Sequence, residues 1–529
     1  MASQQNPPQR PEEQEEVDML DPDEAEEIIP DDPDAPMDSD DEGDDAPMQE
    51  IQLENDSVAH FDLHKDSIFC IAQHPKNPTV VATGGGDDVG YIFEVQVKKQ
   101  ENPPLPASWS GSQDGNSQGA QERESLKQLF KLDGHTDSVA AIAFTQPAGE
   151  YVVTGGMDGR LRAWRENSKG AGVAWNFVAE AQEVEEISWI SPCPHPDYPN
   201  TIALGASDGS VWVYTINAAD KASPLTIVQA FYLHTMSSTA GTWTPDGKLL
   251  ATVSEDSSFY LWDVFGEAAA AGITNPSSGQ AVVGLTGDDE RFRVDGGLYS
   301  VAVAPNGSFA AVGGAEGHIR IIGLPRIGGE PSATSGARGG GARNKAGGGK
   351  QAGGPKGGAG AASGQAGTIL ASLHTQQDSV ETISFSAPPL TLMAAGSVDG
   401  SIALIDTAHR FAVRRHIQQA HIDEEEGTEQ AVIKVEFLKP SSQQSAPVGV
   451  AQAAPGSWLL TSCGNDGVVR RWDARGGTAA ANRGLVGEWR GHRGGGEGGG
   501  VMGFVQGSGD QIITAGDDGV SLVYSAPIA

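Results

Sequence analysis

Cysteine is scarce: Cys70, Cys193 and Cys463 are the only three in 529 residues, far apart and never in CxxC spacing. That excludes a disulfide framework and a thiolate zinc site, and it points to a reducing compartment, with the cytoplasm expected. No apolar run reaches the roughly 18 residues a membrane span needs. The first residues lack a basic region followed by an apolar one, so no secretory signal is expected. Bases are few as well, 34 Lys and Arg against 71 Asp and Glu, a net charge of −37. Bare DNA is a poor partner for such a surface and RNA is disfavoured, because both need basic patches. Also missing are a nucleophile elbow, a P-loop, a dinucleotide fingerprint and an HExxH pair, so neither an enzyme nor a cofactor is expected. The glycines at 84–86 read as a turn beside a strand end, since no helix and no GK[ST] follow them.

Glycine and proline are plentiful, 70 and 31 residues, which argues against long helices. The charge is uneven. Residues 1–56 hold 22 acids and a single base, Arg10, and almost no aromatic side chain. Such a stretch cannot bury enough apolar area to offset the entropy of ordering it, so a disordered acidic tail is expected. The remaining 473 residues still carry −16, and a cationic partner is their complement. Two further stretches break the pattern, both read as flexible insertions. One is 99–123, rich in Asn, Pro, Ser, Gln and Gly; the other is 325–367, mostly Gly, Ala and Ser with six bases against Glu330.

From residue 57 one unit recurs. Its clearest copy is LDGHTDSVAAIAF, a short break, then YVVTGGMDGRLRAW, ending at Trp164. Ser138–Phe144 and Tyr151–Thr154 are β-rich runs, Met157-Asp158-Gly159 is a tight turn, and Leu161–Trp164 alternates like a further strand. Eight such endings occur, closing at Phe93, Trp164, Tyr214, Trp262, Ile322, Ile405, Trp472 and Tyr524; the shortest intervals are 48, 50 and 52 residues. A histidine opens most units: His64, His135, His234, His374, His421 and His492. The third unit (Glu183–Glu186) and the fifth (Arg293–Gly296) lack it. A recurring His and Asp could be a catalytic dyad, a metal pair or a structural set.

The pattern resembles the WD-repeat β-propeller family across nearly all of residues 57–529, near the roughly 40–45 residues expected per blade. The resemblance implies an all-β, eight-bladed WD-repeat β-propeller behind the acidic tail. It also implies that His135, Thr154, Asp158 and Trp164 form a buried hydrogen-bonded set, with Trp262 and Trp472, beside Asp256 and Asp466, close seconds. These residues are then structural, with no metal and no catalytic role. The strand at 57–61 is expected to pair outside 521–525 and so complete the eighth blade; otherwise a sheet edge stays open.

In such propellers one face is formed by the turns that carry the aspartate and by the loops leading into the innermost strands. The residue preceding the aspartate points to that face. Those turn positions are read as Asp87, Met157, Ser207, Glu255, Ala315, Val398, Asn465 and Asp517; the loops add Asp66, Asp137, Glu185, Glu186, Asp378, Glu381 and the run holding Glu425, and bases are almost missing from both sets apart from Lys65. Charged loops of mixed sign would need no explanation. The bias toward one sign makes this a candidate site for a Lys/Arg-rich segment, by charge steering and with salt sensitivity.

More detailed motifs narrow the family: FDLHKDSIFC, VVATGGGDD, LMAAGSVDGSIALID and LLTSCGNDGVVRRWDARGG, behind an acidic tail. They resemble the WD-repeat group of the angio-associated migratory cell protein and the Sqt-type ribosome-assembly proteins (suppressor of QSR truncations). The resemblance implies a dedicated chaperone that captures the basic N-terminal segment of ribosomal protein L-ten co-translationally and delivers it for large ribosomal subunit assembly. A monomer without membrane attachment is expected. The alternatives are a WD-repeat scaffold in signalling and a chromatin propeller holding basic histone tails.

Overall fold

The computed structural model describes residues 55–96, 123–167, 174–273, 280–327, 365–423, 427–439, 453, 456–475, 484–494, 499–507 and 509–528. The acidic stretch 1–54, residues 99–122, all but the two ends of 325–367, and Glu425 lie outside the described residues. Among the described residues the strands gather into eight sheets in chain order, antiparallel but for one pair, and the fold is an eight-bladed β-propeller. Blade 2 is representative, with strands Val139–Phe144, Tyr151–Gly156, Arg160–Asn167 and Ala174–Gln182. The first strands of adjacent blades touch one another all the way round, 68–73 against 139–144 and finally 501–505 against 68–73. They therefore encircle the axis.

The sequence makes strands here for a simple reason. Each second strand is sandwiched between neighbouring blades and reads as a short run of small or β-branched residues: VVATGG, YVVTGG, TIALGA, LLATVS. Outer strands meet solvent and become polar, as in Lys127–Leu132. The penultimate residue of the second strand is often glycine because the next blade's first strand presses on it. A Cβ on Gly84 would come 2.5 Å from Val139 Cγ1, one on Gly155 2.6 Å from Ile187 Cγ2, and one on Gly396 2.7 Å from Val432 Cγ1.

There is no single central core. Eight apolar clusters lie one in each seam between blades: Val80, Ile92, Phe144 and Trp164 between blades 1 and 2, for example, and Leu392, Phe437, Leu460 and Trp472 between blades 6 and 7. The eight residues that close the sequence repeats, Phe93 to Tyr524, are all buried, each on the third strand of its blade.

The ring closes across the termini. Ala59–Phe61 lies antiparallel to Ser521–Ser525, with Ala59 opposite Val523 and Phe61 opposite Ser521. Glu124–Ser125 then adds a parallel fifth strand beyond it before the chain returns to blade 1 as its outer strand, and Leu126 N–H donates to the His60 carbonyl at 2.8 Å. Blade 7 clamps the closing blade from its other side. Arg471 donates to the carbonyls of Gly509 (3.0 Å) and Ala526 (2.9 Å), and Arg490 N–H to Asp56 Oδ2 (2.8 Å).

Candidate functional site

The loops that carry the repeating histidines and aspartates all emerge at one end of the ring, because every first strand begins there and every second strand ends there. Beneath them lie the buried polar sets. In blade 2, His135 Nδ1 is 3.0 Å from Asp158 Oδ1 and Nε2 is 2.7 Å from Thr154 Oγ1. Blades 1, 7 and 8 repeat this with His64–Asp87, His421–Asp466 and His492–Asp518 at 2.9, 2.8 and 3.1 Å. In blade 7, Trp472 Nε1–H donates to Ser462 Oγ, itself 2.8 Å from His421 Nε2. The relay Trp–Ser–His–Asp thus leaves no member unpaired, which is what burial of polar groups demands. Burial alone would raise the Asp158 carboxyl, but hydrogen bonds from Thr136 N–H, His135 and Arg160 N–H hold it below the usual range. Burial also lowers the His135 imidazole. For Asp466 burial is outweighed by His421 and Arg470, and its pKa falls to about 2.

Several positions differ from the sequence reading. Asp87 does not project from the face. It is the blade 1 partner of His64 and also accepts from Lys65 N–H at 3.0 Å, so the position before the aspartate is Gly86. The doubled aspartate hid this, because Asp88 takes the left-handed conformation (φ 61°) that Gly159 (φ 73°) takes in blade 2. His374 does not open blade 6. It ends the outer strand of blade 5, stacked 4.6 Å from His318, and Gln376 fills the histidine slot by donating to Ser401 O at 2.9 Å. In blade 4 a serine intervenes: His234 Nδ1 is 2.6 Å from Ser258 Oγ, and that hydroxyl bonds to Asp256. Trp262 Nε1–H meets Thr252 Oγ1 at 2.8 Å. Buried Val184 and Val294 replace the histidine in blades 3 and 5.

On the face itself Asp66, Asp137, Glu185, Glu186 and Glu255 are exposed, while Glu381 and Asp517 are half-buried. Links between blades are seen at two places on this face. Ser67 Oγ donates to Asp517 Oδ1 at 2.5 Å, which joins the blade 8 turn to Asp66. Across the ring, burial raises the Tyr299 phenol, and the charges of Glu255 and Glu381 raise it further. The Glu381 carboxyl is itself raised, by burial first and then by Asp378. The face is not devoid of bases beyond Lys65: Arg293, paired with Asp295 at 2.7 Å, and exposed Arg493 also stand in its loops.

One feature of the face had no counterpart in the sequence reading. In every blade the first strand slips register between its first and third residues. The skipped residue is Phe69, Ala140, Ser188, Thr239, Tyr299, Glu381, Ile433 or Met502, and each retains solvent contact while the residue before it is buried. A bulge re-aims the side chain it carries. Eight equivalent bulges put one side chain per blade at the acidic end of the axis.

Burial pushes the Cys193 and Cys463 thiols up to about 11 and about 12, and Cys70 is partly exposed with Sγ 3.4 Å from the Val139 carbonyl. Among the described residues no three His, Cys, Asp or Glu side chains converge as a metal site, and no helix is long and apolar enough to cross a membrane.

Fold, polar sets and loop face together define a WD-repeat propeller. The family model described as "WD domain, G-beta repeat" matches residues 126–165 and 226–263. Among solved structures, the chain is similar to Chaetomium thermophilum Sqt1 bound to the N-terminus of the ribosomal protein L10: 47% identity, TM-score 0.70, covering 89% of this chain and all of that one. Among curated proteins it is 26% identical to the ribosome assembly protein SQT1 of Saccharomyces cerevisiae, over 90% of this chain and 88% of that protein. It is 25% identical to the human angio-associated migratory cell protein, over 83% and 74%. The chain belongs to the Sqt1 family of WD-repeat ribosome-assembly proteins.

Proposed function

We propose that this protein is a dedicated chaperone for ribosomal protein L10. It holds the client's basic N-terminal segment on the acidic loop face as the segment emerges in translation, and delivers it to the assembling large subunit. The observation that carries this reading is the 47% identical relative bound to the L10 N-terminus, together with a face where carboxylates from blades 1, 2, 3, 4, 6 and 8 outnumber bases. Shielding a cationic RNA-binding segment from stray RNA requires such a face and no chemistry, so we read the protein as a binding protein and not an enzyme, acting as a cytoplasmic monomer. The proposed contacts are Asp66, Asp137, Glu185, Glu186, Glu255, Glu381 and Asp517, together with Glu425, which lies outside the described residues. Each exposed ion pair contributes only about 0.2–1 kcal/mol, so several must act together.

The test is calorimetric titration of the full chain with the L10 N-terminal peptide. Charge reversal at two exposed positions, Asp66→Lys with Glu255→Lys, is expected to weaken binding at least tenfold with an unchanged melting curve. Undiminished affinity in that variant would remove the acidic face from the mechanism.

A further inference from the structure

The ring of bulged residues is not uniform, and its pattern adds to the reading above, on which this inference rests. Going round the axis, blades 7, 8 and 1 contribute Ile433, Met502 and Phe69 in succession, whereas blades 3, 4 and 5, directly across the ring, contribute Ser188, Thr239 and Tyr299, each with a hydroxyl. One arc of the mouth is therefore apolar and the opposite arc polar. Phe69 and Met502 belong to none of the eight seam clusters that hold the blades together, although both are half-buried apolar side chains. Outside those clusters, Phe69 borders the Asp66 carboxylate. A Cβ on Gly86 would lie 3.1 Å from the Asp66 carboxyl carbon and 3.3 Å from Phe69 Cε2. Carboxylate and ring are thus separated by no more than about two residues' length of extended chain.

Ion pairs alone are a poor way to choose a client, because any basic segment satisfies them and salt screens them. An apolar arc beside the acids adds a contact that salt does not weaken and that a plain polybasic chain cannot make. We propose that this arc is a specificity pocket: the face accepts a basic segment only when an apolar or aromatic side chain stands two residues from a Lys or Arg. In an extended segment, residues i and i+2 share a face. The cation would then meet Asp66 while its neighbour covers Phe69 and Met502. Charge complementarity fixes the occupant as a basic segment of this kind.

Two synthetic peptides of equal charge test this, one carrying Phe two residues from an Arg and one with that Phe replaced by Ala. Each is titrated into the full chain at low and high salt. The Phe peptide is expected to bind at least tenfold tighter at both salt levels, and the difference to vanish in Phe69→Ser with Met502→Ser. Equal binding of the two peptides to the unmodified chain would overturn the pocket, and would leave the acidic face standing as long as low salt still tightens both. Failure of either peptide to bind even at low salt would overturn the acidic face as well. The peptide comparison uses the unmodified chain, so it decides the matter even if the double variant folds poorly.

Discussion

A buried imidazole that bonds a hydroxyl on one side and a carboxylate or hydroxyl on the other must stay neutral when no full counter-charge touches it. His234 is the extreme case. Ser258 stands between it and Asp256, whose Oδ1 is 3.9 Å away, and burial drives the pKa down to about 4. The unfolded chain holds this group near 6.5, so between pH 6.5 and 4 the unfolded state binds the extra proton. His234 thus contributes stability that is fully present above pH 6.5 and is lost as the pH falls toward 4, on the order of 3 kcal/mol. Gln376 fills the corresponding slot in blade 6 without any titratable ring. His234→Gln is therefore expected to flatten the acid limb while costing at most about 1–2 kcal/mol at neutral pH. Denaturant melts between pH 7.5 and 4.5 would show it; an acid limb as steep as that of the parent would mean the lability lies elsewhere. The histidine slot also shows how local sequence misleads. His374 sits two residues from the position a histidine normally takes, and only the pairing of its strand with His318–Gly323 assigns it to the rim of blade 5.

At the scale of strands, closure is the most exposed joint of the molecule. Ala59–Phe61 has three paired residues, yet Phe61 stacks 4.4 Å from Phe93 and fills the seam between blades 8 and 1 with Val523 and Leu126. Removing residues 55–61 would bare the edge of 521–525, empty that seam and strand Leu126, whose N–H donates to His60. Losing a buried phenylalanine alone costs about 3–5 kcal/mol. The truncated chain is expected to melt well below the parent or to lose its single cooperative transition, and a scanning-calorimetry trace unchanged by the deletion would refute this account of closure. The pairing was legible in the sequence, since SVAHF precedes the first full unit and SLVYS ends the last. The bulges were not. A register slip leaves no mark in composition or periodicity, because it is a relation between two paired strands.

For the whole molecule the decisive quantity is the field at one end of the ring. Glu381 has its carboxyl raised by burial and by Asp378, so it takes up protons at higher pH than an ordinary glutamate. A bound cation favours the charged form and lowers that pKa. Client affinity is therefore expected to fall as the pH drops from neutral into the mildly acidic range, and binding to be accompanied by proton release; Glu381→Gln should remove that part of the pH dependence. Titrations in two buffers of different ionisation enthalpy would read the proton directly, and no buffer dependence would exclude Glu381 from the contact. The bias toward acids was read from loop sequence, but its sharpness was not: Asp87 belongs to the polar set, while Arg293 and Arg493 stand in the loops.

Eight β-rich units, their turns, the buried Trp positions, most of the buried His positions and the acidic imbalance are local properties, carried by residue type and spacing, and they were readable from the chain alone. Which aspartate of a pair turns inward, which residue fills an empty histidine slot and which side chains meet at the mouth depend on contacts between units far apart in sequence. Those were settled when the ring closed, because the geometry of each inner strand is fixed by the blades on either side of it.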